Sequence, residues 1–194
     1  MIGKNAIFMT IGASNHTAQE RDVNDYYATE PKAVDKLLTV ETPSKLIWEC
    51  ACGEGHLSRR LTEYGYKVYS SDKIDRGYGE VLDFLTVDKE NAIQDCDILT
   101  NPPYSNALEF VLKALDLVSP GHKVYMFLKL TFLEGKQRAK ELYKEFPPQK
   151  VYVCTDRILC AKSGRFDLYH NKTIAYAWYV WEKGKQQKTE VGWV

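Results

Sequence analysis

Two hydrophobic periods alternate along the chain. Short apolar runs rich in β-branched and aromatic residues read as strands, and stretches with apolar residues three and four apart read as helices. The strand-like runs are Lys45–Cys50, Tyr66–Ser71, Glu80–Leu85, Asp95–Thr100, Lys123–Leu130, Lys150–Thr155 and Thr173–Trp181. Ahead of the first run, Pro31 fits a first helical turn, followed by Ala33, Val34, Leu37 and Leu38 on one face. His56–Tyr64 and Ala107–Val118 are further helices, and Glu134–Phe146 is a charged amphipathic one stopped by Pro147-Pro148. Strands that alternate with helices predict an α/β fold, a mostly parallel sheet covered by helices on both faces. Only Asp156–Lys172 separates the last two strands, with no helical pattern, so the seventh strand is expected to run antiparallel.

The flanks lack this alternation. Residues 1–25 are rich in Asn, Ser, Thr and Gly and read as an arm, residues 26–184 as one domain, and residues 185–194 as a polar tail. The length of 194 residues suits a single domain. Apolar residues at 44% and charged residues at 27% exclude a disordered chain. No apolar run reaches membrane-spanning length, and five scattered Cys fit a reducing interior, so a cytoplasmic protein without membrane contact is expected. The formal net charge of +0 conceals an asymmetry. Residues 1–120 carry 12 Lys/Arg against 19 Asp/Glu, and residues 121–194 carry 14 against 7. A basic C-terminal part is compatible with a polyanionic partner bound in a salt-sensitive way.

Candidate chemistry sits where strands end. Glu49-x-x-x-Gly53-x-Gly55 follows the first strand and opens a helix, a turn in which glycines let a ligand approach the main chain. Ser58 stands where a dinucleotide fingerprint has its third glycine, which disfavours NAD. Asp72 ends the next strand, where a carboxylate can accept hydrogen bonds from both hydroxyls of a ribose. Asp83-Phe84 pairs a carboxylate with an aromatic ring, a combination able to hold an adenine. Asn101-Pro102-Pro103-Tyr104 follows a further strand. Two prolines force the chain out of the sheet. The Pro102 carbonyl and Asn101 Oδ1 then form a pair of acceptors that matches the two hydrogens of an amino group, and Tyr104 supplies a ring for stacking a planar group. Arg157, Lys162 and Arg165 lie in a basic loop suited to phosphate. Cys50-x-Cys52 has no second Cys/His pair at ligand spacing, so no metal site is expected.

With these motifs the sequence resembles the class I S-adenosylmethionine-dependent methyltransferases that modify exocyclic amino nitrogens. The tetrapeptide Asn101–Tyr104 is similar to the signature of DNA adenine-N6 methyltransferases, and the whole set resembles small enzymes of phages and prophages. Tyr27–Pro31 looks like their N-terminal cofactor motif and Glu49–His56 like their glycine motif, although the family's aspartate-proline opening is Glu49-Cys50 here. The resemblance implies a Rossmann-like, seven-stranded fold with S-adenosylmethionine as cofactor. It places Glu49, Cys52, Gly53 and Gly55 around the methionine part, Asp72 at the ribose, Asp83 and Phe84 at the adenine, and Tyr27 and Thr29 over the methionine end. Asn101, Pro102, Pro103 and Tyr104 would hold a target base flipped out of DNA. RNA adenine or guanine, cytosine N4 and a protein glutamine amide offer the same N–H groups, and a non-catalytic cofactor- or nucleic-acid-binding module is the reading from another class. So small a core leaves little surface for base readout, which implies a short recognition site, a homodimer or a recognition partner.

Overall fold

The computed structural model describes residues 26–168, 173–185 and 188–194, so the expected N-terminal arm, residues 1–25, lies outside the described residues. The strands are β1 (Tyr27–Thr29), β2 (Leu46–Glu49), β3 (Lys67–Asp72), β4 (Glu80–Val81), β5 (Asp97–Thr100), β6 (Lys123–Lys129), β7 (Lys150–Val153), β8 (Cys160–Lys162), β9 (Tyr176–Glu182) and β10 (Glu190–Trp193). The main helices are α1 (Lys32–Leu38), α2 (His56–Glu63) and α3 (Ala107–Leu117). Eight strands of the described residues form one sheet in the order β4-β3-β2-β5-β6-β9-β7-β10. All neighbours run parallel except β9, which lies between β6 and β7 and is antiparallel to both.

The central strands read as continuous apolar runs because each buries both faces. Side chains alternate between two cores. Val124, Met126 and Leu128 of β6, with Ala177, Tyr179 and Trp181 of β9, pack with α3 on one face. Tyr125 and Phe127 of β6, with Trp178 and Val180 of β9, pack with α1 and α2 on the other. The two-residue period of a strand delivers alternate residues to each layer. Trp178 Nε1 donates to the Ala33 carbonyl at 2.8 Å, which ties β9 to α1 without leaving the buried indole unpaired.

Four expectations change. The polar segment 185–194 is not merely a tail: β10 extends the sheet beside β7, because Val191 and Trp193 carry strand propensity and an edge strand needs only one partner. The sheet therefore has eight strands where seven were predicted. The interval between β7 and β9 contains β8, which pairs antiparallel with β1 as a separate two-stranded ribbon. Glu134–Phe146 is not one regular α-helix but a short α segment, Lys136–Arg138, continued by a π turn, Ala139–Tyr143. The third predicted strand shortens to β4, after which Asp83 caps a 3-10 turn through its bond from Leu85 N at 3.2 Å.

Strand order reverses between β2 and its neighbours β3 and β5, and in open α/β sheets ligands bind beyond the carboxyl ends of the strands at such a switch point. The opposite end is closed by a buried carboxylate. Glu41 is 6% exposed and accepts hydrogen bonds from Lys123 Nζ at 2.6 Å, Tyr152 Oη at 2.8 Å and Tyr125 Oη at 3.3 Å. Burial opposes its charge, but Lys123, Tyr152 and Lys150 outweigh it and hold the carboxyl below the usual glutamate range. A depressed folded-state pKa stabilises the protein above the unfolded value, and that contribution is lost as pH falls through the folded one. Glu41→Gln is therefore expected to cost about 1–3 kcal/mol in urea unfolding at neutral pH. The deficit should shrink as the pH is lowered through the ordinary glutamate value of about 4.3 and below.

Candidate active site

Beyond β2 the chain turns through Cys50–Gly55 into α2. Gly53 has φ of +55° and Gly55 of +79°, left-handed values that favour glycine. The space there is also closed to a side chain, since a Cβ would lie 2.3 Å from the Tyr26 ring at Gly53 and 2.3 Å from the Tyr78 ring at Gly55. The turn is tied to β3. Cys52 N donates to the Ser71 carbonyl at 2.9 Å, and Asp72 accepts from Gly53 N at 2.8 Å and from Ile74 N at 2.9 Å.

Glu49 is 2% exposed and accepts a short hydrogen bond from the Ser58 hydroxyl, which lies 2.6 Å from Ser70 Oγ. Ser58, which replaces a third glycine, thus serves as the partner of a buried acid. Burial pushes the Glu49 carboxyl up to about 8; Ser58 offsets this in part, and nearby Asp72 raises it further.

At the end of β5, Asn101 Nδ2 donates to Thr29 Oγ1 at 2.7 Å and to the Tyr27 carbonyl at 3.2 Å. A backbone carbonyl can only accept, so the nitrogen must face β1. Oδ1 is consequently turned away from β1, and it is buried with no hydrogen-bond partner among the described residues. Pro103 follows in an extended conformation (φ −52°, ψ 128°), and a 3-10 turn, Tyr104–Asn106, leads into α3. The Tyr104 ring lies 5.5 Å from that of Tyr27 at an interplanar angle of 30°, with Lys129 Nζ 4.2 Å from its centroid. Its hydroxyl donates to Tyr176 Oη at 3.2 Å, and burial raises its pKa well above the usual phenol value.

These pieces meet in one cavity of about 670 Å³, within the range of small-molecule sites. Tyr27, Thr29, Glu49, Cys52, Asp72, Asp83, Phe84 and all of Asn101–Tyr104 line it. Gly53 and Gly55 shape the turn beside it. Asp83 is already engaged, with Lys73 Nζ 2.8 Å from Oδ2. Phe84 is 1% exposed, stacks on Phe110 at 5.3 Å and meets Trp48 edge-on at 5.2 Å.

The basic loop stands outside the cavity lining. Arg157, Lys162 and Arg165 do not line the cavity. Arg157 Nη1 donates to the Thr173 carbonyl at 3.2 Å, Lys162 lies in β8 opposite Tyr27, and Arg165 makes a two-pronged pair with Asp167 at 2.9 and 2.8 Å. Pairing of β8 with β1 draws this loop to the glycine turn, where Ser163 N donates to the Tyr26 carbonyl at 3.1 Å and Phe166 packs edge-on against His56 at 5.2 Å. Sequence reasoning missed Tyr26, Arg76 and Lys129, which also line the cavity. Lys129 ends a strand beside the site, a positional signal; Tyr26 and Arg76 belong to no motif.

No family model matches the chain, and no curated protein sequence matches it. Solved structures do. The M protein of the type I restriction enzyme EcoKI superimposes with a TM-score of 0.57 at 11% identity, over 95% of this chain and 48% of that one. The type IIG restriction endonuclease BpuSI gives 0.57 at 12% identity, over 96% of this chain and 28% of that one. A 1,6-didemethyltoxoflavin-N1-methyltransferase of Burkholderia thailandensis, solved with bound 1,6-didemethyltoxoflavin and S-adenosylhomocysteine, gives 0.51 at 11% identity, over 80% of this chain and 77% of that one. The chain thus spans less than half the length of the first two. The fold is the Rossmann-like fold of class I methyltransferases, with β10 added at one edge. No helix among the described residues is long and apolar enough to cross a membrane.

The raised pKa of Glu49 has a stability signature. Between the unfolded glutamate value and about 8 the folded state retains a proton that the unfolded state has lost, so stability falls as pH rises through that window. Glu49→Gln should flatten this decline between about pH 5 and 8 in urea titrations. A wild-type decline of the same slope in the variant would show that Glu49 is not the group responsible.

Proposed function

We propose that the protein is an S-adenosylmethionine-dependent methyltransferase acting on the exocyclic N6 of adenine in DNA. The observation that carries this reading is Asn101 Oδ1, a buried acceptor without a partner among the described residues, on the wall of a cavity that also contains the glycine turn. An unpaired buried acceptor costs about 1–3 kcal/mol, so a ligand N–H that pairs with it recovers that loss on binding.

The residues present fit the cofactor. Asp72 is anchored by two backbone N–H groups, which leaves carboxylate lone pairs for ribose hydroxyls. Phe84 and Ile74 supply apolar wall for a purine, and the Glu49 carboxyl, which keeps its proton up to about pH 8, offers a hydrogen-bonding group to the amino-acid end. Once bound, S-adenosylmethionine would supply an electrophilic methyl group. The chain's own task is orientation. Asn101 Oδ1 and the Pro102 carbonyl each accept one N–H of the target amino group, drawing its lone pair out of conjugation and holding it for in-line transfer. Asn101 is neutral, so the proton leaves the methylated nitrogen to water. Tyr104 offers a ring to a base that has lost its stacking in the duplex.

The similarity to the M protein of a type I restriction enzyme supports a DNA substrate, as does the excess of Lys and Arg after residue 120.

The test is transfer of labelled methyl to DNA, RNA and protein pools. Label is expected in DNA alone; label only in RNA or protein would overturn the DNA reading, and none in any pool would favour a binding module. Asn101→Ala should lower turnover by at least 100-fold while S-adenosylhomocysteine affinity stays within about threefold, and full activity would sink the mechanism. Tyr104→Phe should retain most activity and Tyr104→Ala should lose about 10-fold or more, measured as kcat/KM on duplex DNA. Equal activity of the two would remove the stacking role.

A further inference from the structure

Arg76 lies in the β3–β4 connection, four residues after Asp72, and belongs to none of the motifs. Its side chain lines the cavity, and its Nε is buried with no hydrogen-bond partner among the described residues. The guanidinium carbon lies 4.0 Å from the centroid of the Tyr26 ring. Tyr26 in turn covers the glycine turn: its ring fills the space a Gly53 Cβ would need, and its hydroxyl accepts from Glu54 N at 3.2 Å. A planar cation is thus held in place by stacking, with one buried donor that meets no acceptor among the described residues.

Asp72, Lys73 and Asp83 line the same cavity. Lys73 pairs with Asp83, and Asp72 is bonded by the amides of Gly53 and Ile74. A guanidinium left with a buried open donor calls for an anion with paired oxygens, which a carboxylate supplies in matching geometry. We propose that Arg76, stacked on Tyr26, is the residue that binds the α-carboxylate at the amino-acid end of the cofactor. The inference rests on the cofactor reading above and adds to it the residue that distinguishes an amino-acid-bearing nucleoside from a plain one.

The experiment compares two ligands by calorimetry on the full chain. S-adenosylhomocysteine carries the amino-acid group, and 5′-methylthioadenosine keeps the adenosine and thioether but lacks it. Arg76→Gln is expected to weaken S-adenosylhomocysteine about 10- to 100-fold while 5′-methylthioadenosine changes by less than about threefold. Arg76→Lys, which retains a charge, should recover part of the loss. Equal weakening of both ligands would overturn the proposal, since Arg76 would then act on the nucleoside or on the shape of the turn. Unchanged affinity for both would overturn it as well. Wild-type protein that binds neither ligand would overturn the cofactor reading and this inference with it, an outcome distinct from wild-type binding that is indifferent to the variant.

Discussion

The amide of Asn101 is held by a strand more than seventy residues earlier in the chain. Its nitrogen donates to Thr29 Oγ1 and the Tyr27 carbonyl, and its oxygen is left buried with an open lone pair. Much of the candidate chemistry depends on this arrangement. If the amide turned over, an N–H would face the cavity, and a target amino group would meet a donor where it needs an acceptor. Its orientation depends on β1 lying across the ends of the parallel strands. That placement depends on β8, which pairs with β1 outside the main sheet.

The same ribbon links the two halves of the cavity. Tyr26, immediately before β1, covers Gly53 on the side of the glycine turn, while Tyr27 meets Tyr104 on the side of the proline turn. Titratable groups stand in both halves. Glu49, Asp72 and Asp83 surround the glycine-turn half, and Lys129 stands over Tyr104 in the other. In the glycine-turn half the acids are accompanied by Lys73, paired with Asp83, and by Arg76, stacked on Tyr26. The basic excess after residue 120 reaches the cavity through Lys129 and not through the loop around Arg165.

The central architecture was legible because each inner strand buries both faces and therefore writes itself as a continuous apolar run. β6 and β9 are plain examples, and the lack of a helix between β7 and β9 revealed the antiparallel strand. The turns that carry the candidate site were equally legible, since glycines and prolines mark where a chain leaves the sheet. Three-residue strands were not: β1 and β8 each lack the length to show a period, and their pairing is a tertiary event. The position of the loop that carries Lys162 and Arg165 follows from the same ribbon, which draws it to the glycine turn. Arg76 carried no signal at all, because a cation stacked on a ring depends on two loops meeting in space.

The most direct test of the account is the single-turnover rate of methyl transfer to DNA by Thr29→Val, which keeps the shape of the side chain and removes the acceptor for Asn101 Nδ2. Loss of that bond frees the amide to rotate. The account predicts a rate lowered about 10-fold or more at saturating S-adenosylmethionine, because Thr29, besides lining the cavity, orients the Asn101 acceptor, and added cofactor does not restore that orientation. A variant that transfers methyl at the wild-type rate would contradict the claim that β1 sets the orientation of Asn101.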